Sequence, residues 1–395
     1  MIRKDEAESY DVLSGKLFSS FLIINAINIF TKTVLPGAAI TSYLSFILGL
    51  AFAAEYVKKR SVFKTTFAEL AIIEVFFIVL VTSSILRYPQ AMSLILKRCL
   101  WLFAICLPCF VVSRHVRNID VFIARSLPAT LFVTLLCVLM FLLRRTDRST
   151  DYSMTLSYLL LFPTLMHIVQ IKRKRLYLAV VSVEVFIILI YGSRGAFLAI
   201  IVFIAASIFL VEKNTVKSLV SKIILFVASA TTVSIIYFNA SRILLYLSSR
   251  GRLSRTLLLL LSGETISHDS GRLEIFQMIW GKILEKPFLG WGISGQASFM
   301  NTYAHNIFLD LLLENGLFLG TLISIAIISV LFCALIKNRN CKFFMVLICS
   351  GFLPLLVSGT YLQQPLFWIT MGLSLSAEGR SGIRFKLGNR RWIIK

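Results

Sequence analysis

Apolar residues run along this chain in long continuous stretches broken by short polar segments, and strand-like alternation is absent from them. Most stretches are about 15 to 25 residues long, the length at which an α-helix crosses the hydrocarbon core of a bilayer. Twelve candidate spans follow: 17–35, 39–56, 68–86, 92–112, 118–143, 154–171, 176–192, 195–211, 223–238, 306–336, 343–357 and 364–376. Lipid offers backbone groups no hydrogen-bond partner, so such spans must be helices. The expected architecture is an all-α integral membrane protein of about 12 transmembrane helices. It forms a single polytopic domain over residues 1–395, with one longer outer loop at 239–305 that carries short amphipathic helices.

Composition agrees. The 395 residues are 57% hydrophobic and 15% charged, against roughly 25% charged in an average soluble domain. The net charge of +22 would raise nucleic acid as a partner for a soluble protein, but here the basic residues sit in short clusters between apolar runs. They read as topology signals, and no nucleic-acid partner is expected. The first sixteen residues mix both signs, and no small-residue cleavage site follows the first apolar run, so that run is expected to be retained as a helix.

With the N-terminus inside, 25 Lys and Arg fall in inside segments and 13 outside. Lys58, Lys59 and Arg60, then Arg114 and Arg117, then 172–175, then Lys337, Arg339 and Lys342 all lie on the inner side, as the positive-inside rule requires. Both termini are then cytoplasmic. The outer set has a different make-up, with 10 Arg to 3 Lys against 11 Arg to 14 Lys inside. A planar guanidinium binds phosphate oxygens in a bidentate way that an ammonium cannot match. Arg194, Arg252, Arg255 and Arg272 therefore suggest an anion-binding outer face, although outer arginines also serve as interfacial snorkelling residues.

Of seven cysteines none falls in an expected outer segment, so no disulfide is expected. Cys106 and Cys109, a C-x-x-C pair with Pro108 between them inside a span, read as packing residues. The histidines at 115, 167, 268 and 305 are scattered over different segments. No metal site of familiar spacing can be drawn from them, and neither metal nor cofactor is expected. Glu74 and Glu184 lie inside expected spans, where an ionisable group either lines a cavity or bonds neighbouring helices.

Three motifs remain. Asp269-Ser270-Gly271-Arg272-Leu273-Glu274 opens an amphipathic helix with the apolar stripe Leu273, Phe276, Trp280, Ile283 and Leu284. Asp269 or Ser270 caps it, and Pro287-Phe-Leu-Gly290-Trp-Gly292 ends it. Arg272 falls in its first turn, where free N–H groups already favour an anion; an exposed surface arginine is the plainer alternative. Gly192-Ser193-Arg194-Gly195 forces a tight outer turn that carries Arg194 to the membrane boundary, as a ligand contact or as a topology anchor. Tyr303-Ala304-His305-Asn306 leads into an apolar helix with His305 at its first turn. Imidazole is suited to accept a proton near neutral pH, and a lone interfacial histidine is equally a hydrogen-bonded packing residue.

Taken in order, Ser193-Arg194-Gly195-Ala196, Ser270-Gly271-Arg272 with Pro287-Phe-Leu-Gly290-Trp-Gly292, and Ala304-His305-Asn306 leading to Glu314-Asn315-Gly316 resemble the O-antigen ligase and O-antigen polymerase family. The sharp match covers about 192–320. The resemblance implies a GT-C-like membrane glycosyltransferase of the bacterial inner membrane. It would act at the periplasmic face, without metal or nucleotide sugar, on an undecaprenyl-pyrophosphate-linked glycan. Its catalytic residues would be Arg194, Arg272 and His305, with Arg252, Arg255, Ser193, Tyr303 and Asn306 around the substrate. The acceptor is a glycan, making the enzyme a polymerase, or lipid A-core, making it a ligase; Ser254-Arg255-Thr256 to Ser262-Gly263-Glu264 looks more like the polymerases. Membrane lipids and a chain-length regulator are the further partners implied. A lipid-linked oligosaccharide flippase is the alternative of another class, but polar residues concentrated on one face favour an enzyme.

Overall fold

The computed structural model describes residues 4–34, 64–143, 154–171, 173–191, 194–207, 272–337, 341–376, 384–387 and 390–393. The expected spans at 39–56 and 223–238 lie outside these residues, as does most of the expected outer loop.

The described chain is helical almost throughout. Its helices are α1 (Lys4–Val34), α2 (Lys64–Arg87), α3 (Met92–Trp101), α4 (Leu107–Arg114), α5 (Ile119–Leu143), α6 (Met154–Gln170), α7 (Leu176–Tyr191), α8 (Arg194–Ala206), α9 (Arg272–Glu285), α10 (Ile307–Lys337), α11 (Cys341–Leu347) and α12 (Pro365–Ser374). A five-residue π-helical turn, Leu102–Cys106, joins α3 to α4. One departure from the all-α expectation is a short antiparallel pair near the C-terminus, β1 (Arg384–Leu387) with β2 (Arg390–Ile393). Among the described residues five helical stretches are long and apolar enough to cross a membrane: Tyr10–Thr31, Thr66–Arg87, Pro89–Arg114, Ile119–Leu143 and Ile307–Ile336. Shorter apolar helices accompany them. Large apolar side chains point outward on α2 (Ile72, Val75, Phe76, Val79) and on α10 (Phe318, Leu322, Ile325, Phe332). This is a multi-pass membrane protein, since water would not tolerate such faces.

The chain divides into two compact units, with boundaries inside α1 and α5. The first unit holds the start of α1, then α2 to the start of α5, and everything from Gly271 on. Here α1 begins well before the apolar run, because its mixed-charge segment has a structural use. Buried Asp11 accepts hydrogen bonds from the backbone N–H groups of Arg117 and Asn118 at 2.8 and 3.0 Å, satisfying donors just before α5 that have no helical partner. Tyr10 donates to the Val112 carbonyl at 2.9 Å. The core of the unit is built from α3, the π-helical turn, the inward face of α9, α10 and α12. Cys106 is buried there with its thiol on the Leu362 carbonyl at 3.6 Å.

The second unit contains α6 to α8 and the end of α5. Glu184 of α7 is fully buried and is a helix-bonding residue. Its Oε1 meets His167 Nδ1 at 2.8 Å and accepts from Thr134, while His167 Nε2 meets Thr130 Oγ1 at 2.9 Å. One side chain thus ties α5, α6 and α7 together. Removing one partner of a buried pair costs more than removing both. His167→Leu is therefore expected to lower stability by about 3 kcal/mol, and adding Glu184→Leu to recover part of it. Thermal midpoints of the purified single and double variants check this.

Candidate functional site

The site is assembled where the chain leaves α9 and enters α10. Two apolar stripes run along α9. Ile279 and Ile283 are buried against the core, whereas Leu273, Trp280 and Leu284 are exposed. The single stripe expected from the sequence, Leu273 to Leu284, is therefore split. Residues 273, 280 and 284 recur at helical spacing on the outward side, and 279 and 283 face the protein. Asp269 and Ser270, the expected caps, lie outside the described residues.

After α9 the Pro287–Gly292 segment folds against a break in α10. Gly316, at φ 79 and ψ 172, interrupts α10. Its neighbours bond directly to the preceding loop: Leu317 N–H donates to the Pro287 carbonyl at 2.7 Å, Trp291 N–H to that of Leu313 at 2.8 Å, and Gly292 N–H to that of Glu314 at 2.9 Å. The carbonyls freed by the break are thus reused. Gly290 and Gly292 also take positive φ, 63 and 78. Pro287-Phe-Leu-Gly290-Trp-Gly292 and Glu314-Asn315-Gly316, distant in sequence, form one scaffold.

The Glu314 side chain completes it from within. This carboxylate is buried in α10, accepts from the Ser294 N–H at 2.7 Å and accepts from the Tyr361 hydroxyl. Ser294 takes a left-handed conformation, φ 56. On the outside of the loop Lys286 lies 3.9 Å from the Trp291 ring centroid and donates to the Tyr88 hydroxyl at 2.7 Å. Cation–π attraction fixes that aromatic cluster.

The next turn carries His305. Helix α10 starts at Ile307, so His305 precedes the cap and does not sit in the first helical turn, as the sequence suggested. Asn306 is the cap: its Oδ1 accepts from Phe308 N–H at 2.9 Å and Leu309 N–H at 3.3 Å, and its Nδ2 donates to the Leu356 carbonyl at 3.4 Å. His305 itself has φ 58. This left-handed backbone is uncommon outside glycine and marks either a turn or a functional constraint. Its ring is half-buried, lies 4.4 Å from the Tyr303 ring centroid, and has Nε2 at 3.4 Å from Thr302 Oγ1. Burial, and then the Arg272 guanidinium, hold the imidazole below histidine's ordinary 6.5. A lowered value keeps the ring neutral, hence able to accept a proton, across the neutral range.

Several polar atoms here have no hydrogen-bond partner among the described residues. Ser294 Oγ, both amide atoms of Gln296, His305 Nδ1, Asp310 Oδ2 and Arg98 Nη1 are all buried in this condition. They account for six of the ten such atoms. Five of the six fall within residues 294–310, the stretch that carries His305, and the sixth is on α3.

Of the residues selected by sequence, the first unit thus contains Arg272, Tyr303, His305 and Asn306, with Arg272 within electrostatic reach of His305. Arg194 is the first residue of α8, in the second unit. Ser193, Arg252 and Arg255 lie outside the described residues, and no group of three His, Cys, Asp or Glu among the described residues forms a metal site. Sequence reasoning missed Arg98, Asp310 and Tyr361. An arginine inside an apolar run and two carboxylates at i and i+4 in an apolar helix were the available signals.

Residues 177–324 match the profile of the family described as O-Antigen ligase, an interval that contains Arg194, Arg272 and His305. Over these residues the chain is similar to O-antigen ligases. The chain is also similar to a ComP-specific O-oligosaccharyltransferase of Acinetobacter baylyi (strain ATCC 33305 / BD413 / ADP1), with 30% identity over 147 residues. The matched stretch is 32% of this chain and spans only 27% of that relative. No solved structure matches. Both matches are to proteins described by glycan transfer.

Proposed function

We propose that the protein transfers glycan from an undecaprenyl-pyrophosphate-linked donor to a sugar hydroxyl at the periplasmic face of the bacterial inner membrane, as a surface-polysaccharide polymerase. The observation that carries this reading is His305, held in a left-handed turn, half-buried, with its imidazole kept neutral beside Arg272. A neutral imidazole takes the proton of the acceptor hydroxyl as its oxygen attacks the anomeric carbon. The bond from that carbon to the pyrophosphate oxygen breaks, configuration inverts, and the pyrophosphate leaves with an added negative charge. Arg272 and Arg194 stabilise that charge electrostatically, so neither metal nor cofactor has a role in this scheme. Arg252, Arg255 and Ser193 contribute to holding the donor, and Tyr303 packs beside the base.

The second reading is ligation to lipid A-core, favoured by the family description. The relative's name adds a third acceptor class, since it is an oligosaccharyltransferase specific for ComP. A deletion strain separates these outcomes by its lipopolysaccharide banding pattern. Core bearing a single repeat unit means polymerase, and unsubstituted core with polymer held on the lipid carrier means ligase. Unaltered lipopolysaccharide, with loss of glycan from a protein, means the third.

The lowered histidine value gives a pH prediction. Protonating His305 removes the proton acceptor, so activity is lost as pH falls. Because burial and Arg272 oppose the charged form, that loss falls below pH 6.5. A pH–rate profile of transfer by the purified protein checks it, and an acid limb above 6.5 would contradict the assignment.

A further inference from the structure

Two ionisable side chains converge on the turn that carries His305. Arg98 of α3 is only 6% exposed, and its Nη2 donates to the Thr302 carbonyl at 3.0 Å. Asp310 of α10 is fully buried, and its Oδ1 accepts from the Ala304 N–H at 3.3 Å. The two charges act on each other. Thr302 in turn faces His305 Nε2 through its hydroxyl. The residues just before the histidine are therefore gripped on both sides, from two different helices, by side chains bonded to backbone.

We propose that Arg98 and Asp310 are positioning residues that clamp residues 302–304 and so fix the direction of the His305 ring. The inference rests on the functional reading only for what the ring does, not for the clamp. Two features favour positioning over plain stability. Burying ionisable groups costs desolvation that apolar replacements of the same size avoid. Moreover, the hydrogen bonds of this pair run to the turn, where they hold a non-glycine residue in a left-handed conformation that sequence alone would not select.

The test is carbethoxylation of His305 by diethyl pyrocarbonate on the purified full chain, followed residue by residue by mass spectrometry. Arg98→Gln and Asp310→Leu are expected to speed labelling of His305 by about fivefold, the factor set by one lost hydrogen bond of ordinary strength. Asp310→Asn, which keeps the acceptor oxygen, is expected to label at the wild-type rate. Transfer by Arg98→Gln and Asp310→Leu should show a fall in kcat with KM for the lipid-linked donor unchanged. Unaltered labelling in both, on monodisperse protein, overturns the clamp. Should either fail to give monodisperse protein, Arg98→Lys, which keeps the charge without the planar fork, is read in the same way, and unchanged labelling there also overturns it. If His305→Asn retains full transfer while the labelling differences persist, the functional reading falls and the clamp stands.

Discussion

Replacing His305 is expected to remove glycan transfer while leaving the protein folded and inserted. The preferred variant is His305→Asn, because asparagine tolerates the left-handed backbone that His305 occupies at φ 58. His305→Ala would add backbone strain to the chemical loss. General-base catalysis by a positioned side chain contributes about a hundredfold to ten-thousandfold, and the turnover of His305→Asn should fall by that factor. Arg272→Ala and Arg194→Ala should lose activity for a different reason: the leaving pyrophosphate would carry uncompensated charge. In vitro transfer from a lipid-linked donor, with size-exclusion profiles of the same preparations, measures both sides of the claim. Wild-type rates in all three variants would remove these residues from the site.

The apolar runs made the helices legible because a bilayer demands continuity of hydrophobicity, and continuity survives without any knowledge of packing. Thr66–Arg87, Ile119–Leu143 and Ile307–Ile336 accordingly fall where the sequence places spans. Other features depended on partners far away in the chain. The helical start of α1 before its apolar run follows from Asp11 meeting the N–H groups of Arg117 and Asn118, a contact no local pattern announces. The stripe on α9 was recognised as apolar but not as divided, since composition cannot say which apolar residues face protein and which face lipid. His305 and Arg272 were found through chemistry and motif order. Arg98 and Asp310 were not, because inside an apolar run each looks like an isolated polar residue until the fold brings both to the same turn. Gly290 and Gly316 lie between these extremes. Their residue type signalled a turn, and the fold added that the two turns bond to each other.

That mutual bonding makes Gly290→Ala the most damaging small substitution expected in this region. A β-carbon at Gly290 would lie 2.5 Å from both the carbonyl carbon and the carbonyl oxygen of Glu314, and also 2.5 Å from the Gly316 nitrogen. These are backbone atoms at the break in α10, so no side-chain rotation relieves the overlap. The left-handed backbone at φ 63 adds about 1 kcal/mol for any residue with a β-carbon. Displacing Glu314 would also break its bonds to Ser294 N–H and Tyr361, exposing a buried carboxylate to an apolar surrounding. The expected result is loss of monodisperse protein, or a thermal midpoint lowered by many degrees, with transfer lost in parallel. Gly281→Ala supplies the contrast. Gly281 lies inside α9, and nothing stands within 4 Å of where its β-carbon would be. Alanine there removes only the flexibility that glycine brings to a helix, so it should stabilise by about 0.5 to 1 kcal/mol. If Gly290→Ala and Gly281→Ala melted alike, the close approach of Gly290 to the break in α10 would not be what holds Pro287–Gly292 against it.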